Sequence, residues 1–513
     1  MSLSRRQVCR GLGALGLVRG VSARRAQAQP TGEAVWAWHV SLAPAWFDPV
    51  DTPAQSTPFG LLYALHDALI RPLPGGGLGP SLAESWSESP DGLAYTFTLR
   101  PGLRFHNGDP CTAEDVQFSF ARYRGTGAQA LHAAVAAVEV LDARTVRFQL
   151  HTPWPDFLTF YGTTATAAGL VVPKRYLEQV GEAGFQQHPI GLGPYQFVRH
   201  TPGVDVVLEA YDGYWRTVPP IKRLRMQGVP EGTTRLAMLK QGEADIAMAL
   251  EGPLAEAVQR DPRLTLVATQ VPGIQWLEFT EQWNPTSVWA DPRVRLAVNY
   301  ALDRQAMNEA ACLGYCPPSG VIIPRVLEYA LQTEPVPYDP PKAKQLLTDA
   351  GYPHGFDAGD LIPIPPFFLV AEAVVNALHA VGIRVQMRLM ERAAFYAAWR
   401  EKKLRGLVLV ASGAAGNAAT RIETFIASTG AYAYGGYPDL DALYQQQARE
   451  RDRATRAALL ARIQQLTVER VMFAPLIDLR LLVGVGFRVA AHGLNVLPLS
   501  PFPAPEVMRL KAP

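Results

Sequence analysis

Apolar positions recur along this chain every three to four residues in some stretches and every second residue in others, and the change of period marks its elements. Val116, Phe120 and Tyr123 follow Thr112, with Asp115 three residues after that threonine: a capping box opening a helix whose apolar stripe faces a core. Asp291-Pro292 opens another helix with an acidic N-cap and proline at its first position, carrying the stripe Val294, Ala297, Val298, Ala301 and Leu302. Asp339-Pro340 repeats the device in a helix that ends at Gly351, and Gly242 stops a short helix over 233–241. Further helices are predicted over 61–70, 374–381, 395–402, 440–449 and 455–471. Strands are predicted over 34–40 and 95–100, in a hairpin of 138–141 with 145–150, in a second hairpin of 195–199 with 204–209, and over 246–249, 383–389 and 407–411. Hairpins dominate early and strands alternate with helices later. That order predicts α/β domains with an inserted, more antiparallel subdomain.

At 513 residues the chain exceeds one ordinary core, so two or three domains are expected. With 48% hydrophobic and 18% charged residues it is globular in composition. The first 28 residues stand apart. Ser4-Arg5-Arg6-Gln7-Val8-Cys9-Arg10 resembles a twin-arginine export motif, a weakly apolar stretch follows, and Ala26-Gln27-Ala28 reads as a cleavage site, so 1–28 is expected to be a signal peptide. A disordered basic leader is the alternative. The leader carries six arginines and no acid; without it 48 − 6 = 42 basic residues face 46 acidic ones, a charge of −4. A mildly acidic surface argues against nucleic acid as a partner. No stretch reaches the ~18 uninterrupted apolar residues of a membrane span.

Several motifs then fall in one order. R-F-H-N-G-D-P-C-T-A-E-D-V-Q-F-S-F-A-R runs from Arg104 to Arg122, P-I-G-L-G-P-Y from Pro189 to Tyr195, and Y-D-G-Y-W from Tyr211 to Trp215. L-K-Q-G-E-A-D runs from Leu239 to Asp245, D-P-R-V-R-L-A-V-N-Y-A-L-D-R from Asp291 to Arg304, Y-D-P-P-K-A-K-Q-L-L from Tyr338 to Leu347, and A-G-Y-P from Ala350 to Pro353. In this register they resemble the bacterial extracellular solute-binding proteins of family 5, the peptide- and nickel-type receptors that feed ABC transporters. The resemblance implies an α/β, two-lobed periplasmic binding protein fold. Its first lobe would comprise 29–47, 177–271 and 487–513, its inserted subdomain 48–176, and its second lobe 272–486. It also implies a monomeric, periplasmic substrate-binding component of an ABC transporter. Such a protein captures a small organic solute without a cofactor and meets the membrane only through the permease and ATPase. A periplasmic sensor or holdase of the same fold, acting without a transporter, is the alternative.

Four segments map by resemblance onto the loops of the inter-lobe cleft: Trp46 with Phe47, Gln275 with Trp276, Phe395 with Tyr396, and the loop carrying Ser412, Gly413, Asn417 and Arg421. Aromatic walls with a few polar groups suit an enclosed solute, though each ring is equally a core residue. Peptide-binding relatives place an aspartate in the fourth segment, against the free α-amino group. This chain has no acid between Gly406 and Ile422. Ser412, Asn417 and Arg421 are donors, which favours a neutral or carboxylate-bearing solute over a free-amine di- or tripeptide; the other reading of Arg421 is a helix-start residue facing solvent. Arg293 and Arg295 are expected on a solvated helix face, Glu243 and Asp245 as turn residues holding backbone amides, and His106 as an exposed turn residue. Cys312 and Cys316 are either a small disulfide or two separately buried thiols, and Cys111 a packed residue. H-E-x-x-H and G-x-S-x-G do not occur, so nothing supports an enzyme and no metal site is expected.

Overall fold

Two long antiparallel strands, Thr265–Phe279 and Phe473–Val485, form the spine of a ten-stranded sheet. The computed structural model describes residues 29–52, 57–73, 77–162, 166–365, 367–413, 416–497 and 500–512. The expected leader, with Arg5, Arg6 and Cys9, lies outside them. On one side of the spine the sheet continues through Leu407–Gly413, Phe356–Pro363 and Ile383–Met387. On the other it continues through Ile246–Ala247, Thr31–Trp38, Ile221–Gly228, Asp205–Ala210 and Tyr195–Thr201. The spine pairs regularly from Thr265↔Val485 to Gln270↔Arg480, slips, and resumes at Ile274↔Asp478. Pro272, which has no N–H to give the ladder, sits in that break.

Among the described residues three large hydrophobic cores stand out. The largest is built only from residues between Ile274 and Ile477. A second, from Phe59 to Leu192, lies against a four-stranded antiparallel sheet of Ala83–Glu88, Ala94–Leu99, Thr145–Leu150 and Val135–Asp142. The third gathers Ala34 to Leu65, Tyr195 to Met248 and Val483 to Met508. The expected mixture of α/β layers and an antiparallel insert is what forms.

Local signals produced the elements expected of them. The Thr112–Asp115 capping box opens helix Ala113–Arg122, which buries Val116 and Phe120, with Tyr123 buried at its C-terminal cap. Asp291 accepts from the Arg293 amide, Asp339 from the Lys342 amide, and Gly242 takes φ 78° as the C-terminal cap. Asp245 accepts from the Val35 amide across the sheet.

Three expectations need correction. The helix predicted over 61–70 is Phe59–Leu65, and strand Ile70–Pro72 begins where it should have ended. Asp67 draws the chain out of the helix, because its buried carboxylate accepts from Tyr214 Oη and Trp215 Nε1, both at 2.8 Å. Arg295 is not solvated: it is 3% exposed and donates to the carbonyls of Trp289, Ala290, Arg470 and Val471. His106 is half-buried, its ring nitrogens meeting the Gly193 carbonyl and the Gly191 amide.

Cys312 and Cys316 are bonded to each other, Cα to Cα 5.7 Å apart, and Cys111 is a buried free thiol. Thiol counting by intact mass on denatured, unreduced protein produced from Gln29 onward should find one reactive thiol, Cys111. Three would mean that the bond does not form.

Candidate functional site

Strand Leu407–Gly413 ends beside the break in the spine, the position where open α/β sheets place their ligand crevices. Ser412, Ile274 and Asp478 lie in one row across three neighbouring strands. Side chains alternate along a strand, so Trp276 shares the face of Ile274, whereas Gln275 points to the opposite face. Gln275 is 2% exposed, and its Oε1 has no hydrogen-bond partner among the described residues.

Arg421 anchors the first face. It lies in helix Ala418–Phe425, whose N-cap Asn417 accepts from the amides of Ala419 and Thr420. Its guanidinium stacks 5.1 Å from the centre of the Trp276 ring and 4.6 Å from that of Phe425. It donates to the carbonyls of Ile322, Gly413 and Ser412. The side chain is 1% exposed, and burial alone pushes its pKa down to about 9. No carboxylate of the described residues pairs with it. The solvent-facing reading of Arg421 is therefore overturned, because three carbonyls and two ring faces replace water around it.

Arg325 reaches the same row by donating to Asp478 Oδ2 at 2.5 Å. Burial raises the Asp478 pKa, the Arg325 charge opposes the shift, and Oδ1 is left without a partner among the described residues. Beneath Trp276, Phe395 and Trp399 form an aromatic floor; Tyr396 is half-buried against it. Phe395 is fully buried and acts as core, not as a cleft wall.

The expected site residues thus divide. Trp276, Ser412, Gly413 and Arg421 come together, with Asn417 on the same helix and Phe395 and Tyr396 below. Trp46 and Phe47 belong to a different core: Trp46 is half-buried against it, and Phe47 lies fully inside it, between Phe197 and His200. Ala414 and Ala415 of the fourth segment lie outside the described residues. The sequence also left one neighbour unnoticed. Asp156, from the antiparallel insert, accepts from Asn417 Nδ2 at 2.6 Å and from Arg456, so the acid-free loop does meet an acid from another segment. No motif around Asp156 signals this.

Among the described residues no group of three or more histidine, cysteine or acidic side chains is placed to hold a metal, and no helix is long and apolar enough to cross a membrane.

Comparison with known proteins places this geometry. A family profile described as bacterial extracellular solute-binding proteins, family 5 Middle, matches residues 77–433. The glutathione-binding protein GsiB of Pectobacterium atrosepticum is 34% identical over 281 residues, 54% of this chain and 53% of the relative. GsiB of Escherichia coli O157:H7 is 32% identical over the same length and shares. The chain therefore matches about half the length of these curated relatives. Among solved structures, the ABC transporter substrate-binding protein CtaP of Listeria monocytogenes superposes with a TM-score of 0.82 at 20% identity, covering 94% of this chain and 100% of that one. NikA of Brucella suis, in complex with Fe(III)-EDTA, has a TM-score of 0.82 at 23% identity with the same coverage. DppA of Helicobacter pylori, in complex with a peptide, has a TM-score of 0.75 at 22% identity, covering 94% of this chain and 98% of that one. At these identities the likeness is one of fold: two lobes of the periplasmic binding protein type.

Proposed function

Because the chain belongs to the bacterial extracellular solute-binding proteins of family 5, we propose that it is the periplasmic substrate-binding component of an ABC importer for a small, carboxylate-bearing organic solute. The break in the spine at 271–273 serves as the hinge, with the first lobe and the inserted subdomain on one side and the second lobe on the other. A solute drives closure only by binding the closed form better than the open one, so it must touch groups on both sides of the cleft. The permease and ATPase then receive it.

One observation carries the substrate class: the Arg421 guanidinium, buried on two aromatic faces and holding only backbone carbonyls. A guanidinium has five N–H donors, and three bonds to carbonyls leave two for a ligand. An unpaired charge away from water is costly, and an arriving carboxylate relieves that cost with two parallel hydrogen bonds. Glutathione, for which the curated relatives are named, has two carboxylates and is the first compound to test.

Native mass spectrometry of protein purified from its own host should weigh the retained solute. Calorimetry with that solute should then show Arg421→Gln binding about 100-fold more weakly, ~3 kcal/mol, while Arg421→Lys recovers part of the loss. An Arg421→Gln protein that folds and binds with unchanged affinity would remove the carboxylate from the proposal.

A further inference from the structure

Asp156 joins two parts of the molecule that do not share a core. The residue after it, Phe157, begins helix Phe157–Gly162 and packs in the core of the antiparallel insert. Its partners stand on helices that pack in the large core: Asn417 directly precedes Ala418, and Arg456 lies one turn before Leu460. Asp156 is 6% exposed, its carboxylate accepting from Asn417 Nδ2 and from Arg456 Nη2. Arg456 is 4% exposed, donates from Nε to Gln447 Oε1 at 3.2 Å, and lies 5.4 Å from the centre of the Tyr329 ring. Nearby, Arg451 crosses the same seam to Glu88 Oε1 at 3.0 Å and to the Pro90 carbonyl at 2.8 Å.

These two crossings differ in kind. The Arg451–Glu88 pair is exposed on both sides and contributes ~0.2–1 kcal/mol at most. Asp156 and Arg456 are withdrawn from water, and neither can stay so without the other. Their contact is therefore all or none: either the seam is shut and both charges are paired, or it opens and both are hydrated. Asn417 couples that choice to the site. While its Nδ2 is held by Asp156, its Oδ1 caps the helix that carries Arg421.

We propose that Asp156 is a positioning residue for solute binding. Its carboxylate latches the inserted subdomain onto the second lobe when the cleft shuts, and it thereby fixes the Asn417 cap and the Arg421 helix. The inserted subdomain is then a moving part of the closure and not a passive appendage of the first lobe. This rests on the solute-binding reading above. The contact forms whenever the cleft shuts, with or without solute, so its loss should appear in the dissociation rate of enclosed solute and, in the unliganded protein, in the order of the Arg421 helix.

The test combines a kinetic and a ligand-free measurement. In stopped-flow binding of the solute recovered from the host, Asp156→Asn and Arg456→Gln should each raise koff about tenfold with kon within about twofold of the parent. The double variant should be no worse than either single one, because both break the same contact. Glu88→Gln, on the exposed pair, should change neither rate more than about twofold. In the unliganded protein, Asp156→Asn should speed amide exchange at residues 419–425, whose cap it loosens. Unchanged koff and exchange in a folded Asp156→Asn protein would overturn the latch, as would additive effects of Asp156→Asn and Arg456→Gln. A parent protein that retains and binds no solute, but shows the exchange change, would sink the importer reading and leave the latch standing.

Discussion

Replacing Trp276 by alanine is expected to cost about 3–5 kcal/mol of stability, the usual range for emptying a fully buried aromatic site. Trp276 is 0% exposed, edge-on to Phe425 with ring centres 5.3 Å apart and tilted against Trp399 at 6.3 Å. Those rings belong to one sheet face and two helices, so they cannot collapse into the void without moving the spine. Arg421 would lose one of its two ring faces, so affinity should fall with stability. Trp276→Phe should lose less, because the indole N–H has no partner among the described residues and phenylalanine removes an unmet donor. Urea denaturation followed through the transition of this core measures both variants. A loss under ~1 kcal/mol for Trp276→Ala would mean the ring is not packed as described.

The second large effect depends on pH. Glu278 lies on the same strand face as Trp276, is 4% exposed, and accepts from Trp399 Nε1 at 3.1 Å. Burial raises its pKa from 4.5 to about 8, against the opposing bond from Trp399 and the charge of Lys402. A carboxyl raised in the folded state contributes fully below its unfolded pKa, and that contribution is lost as pH rises towards the folded value. Between about pH 4.5 and 8 the parent should therefore lose stability from this group, on the order of 1 kcal/mol per pH unit, until other groups intervene. Glu278→Gln keeps the shape and can keep the Trp399 bond without the ionisation. Its advantage over the parent should be negligible at pH 4 and should grow to a few kcal/mol near pH 8. Parallel melting curves across that range would show instead that Glu278 is ionised, with its charge compensated in the fold.

What was legible in the sequence was local. Asp291-Pro292, Asp339-Pro340 and the Thr112–Asp115 box write their own helix starts, because each cap acts within one turn. The family motifs suggested Trp276, Ser412 and Arg421 as neighbours, and the structure brings them together, but nothing local announced the burial of Arg421. That burial needs the Ile322 carbonyl, 99 residues away in sequence, just as Arg295 needs the Val471 carbonyl, 176 away. A charged residue reads as solvated until such carbonyls converge on it. Asp156 was invisible for the same reason: its partners stand 261 and 300 residues further on. Phe47, fully buried, illustrates the opposite error, since an aromatic beside a loop has the same sequence signature whether it lines a cleft or fills a core.

The order in which the chain threads its cores constrains how the molecule is made. The antiparallel insert closes its core from residues 59–192 and can collapse while synthesis continues. The third core cannot. Its first strand, Thr31–Trp38, is bordered by Ile246–Ala247, which in turn needs Gly484 and Val485, and Trp36 Nε1 donates to Met508 Sδ across 472 residues. Thr31–Trp38 can pair with Ile221–Gly228 once that strand is made, but its other edge must wait for Ile246–Ala247, and that strand for Gly484 and Val485. Such long-range pairing is slow and exposes an edge in the meantime. A chain truncated before Val483 should leave Trp36 and Trp38 uncovered while the insert still folds, making it a client for chaperones.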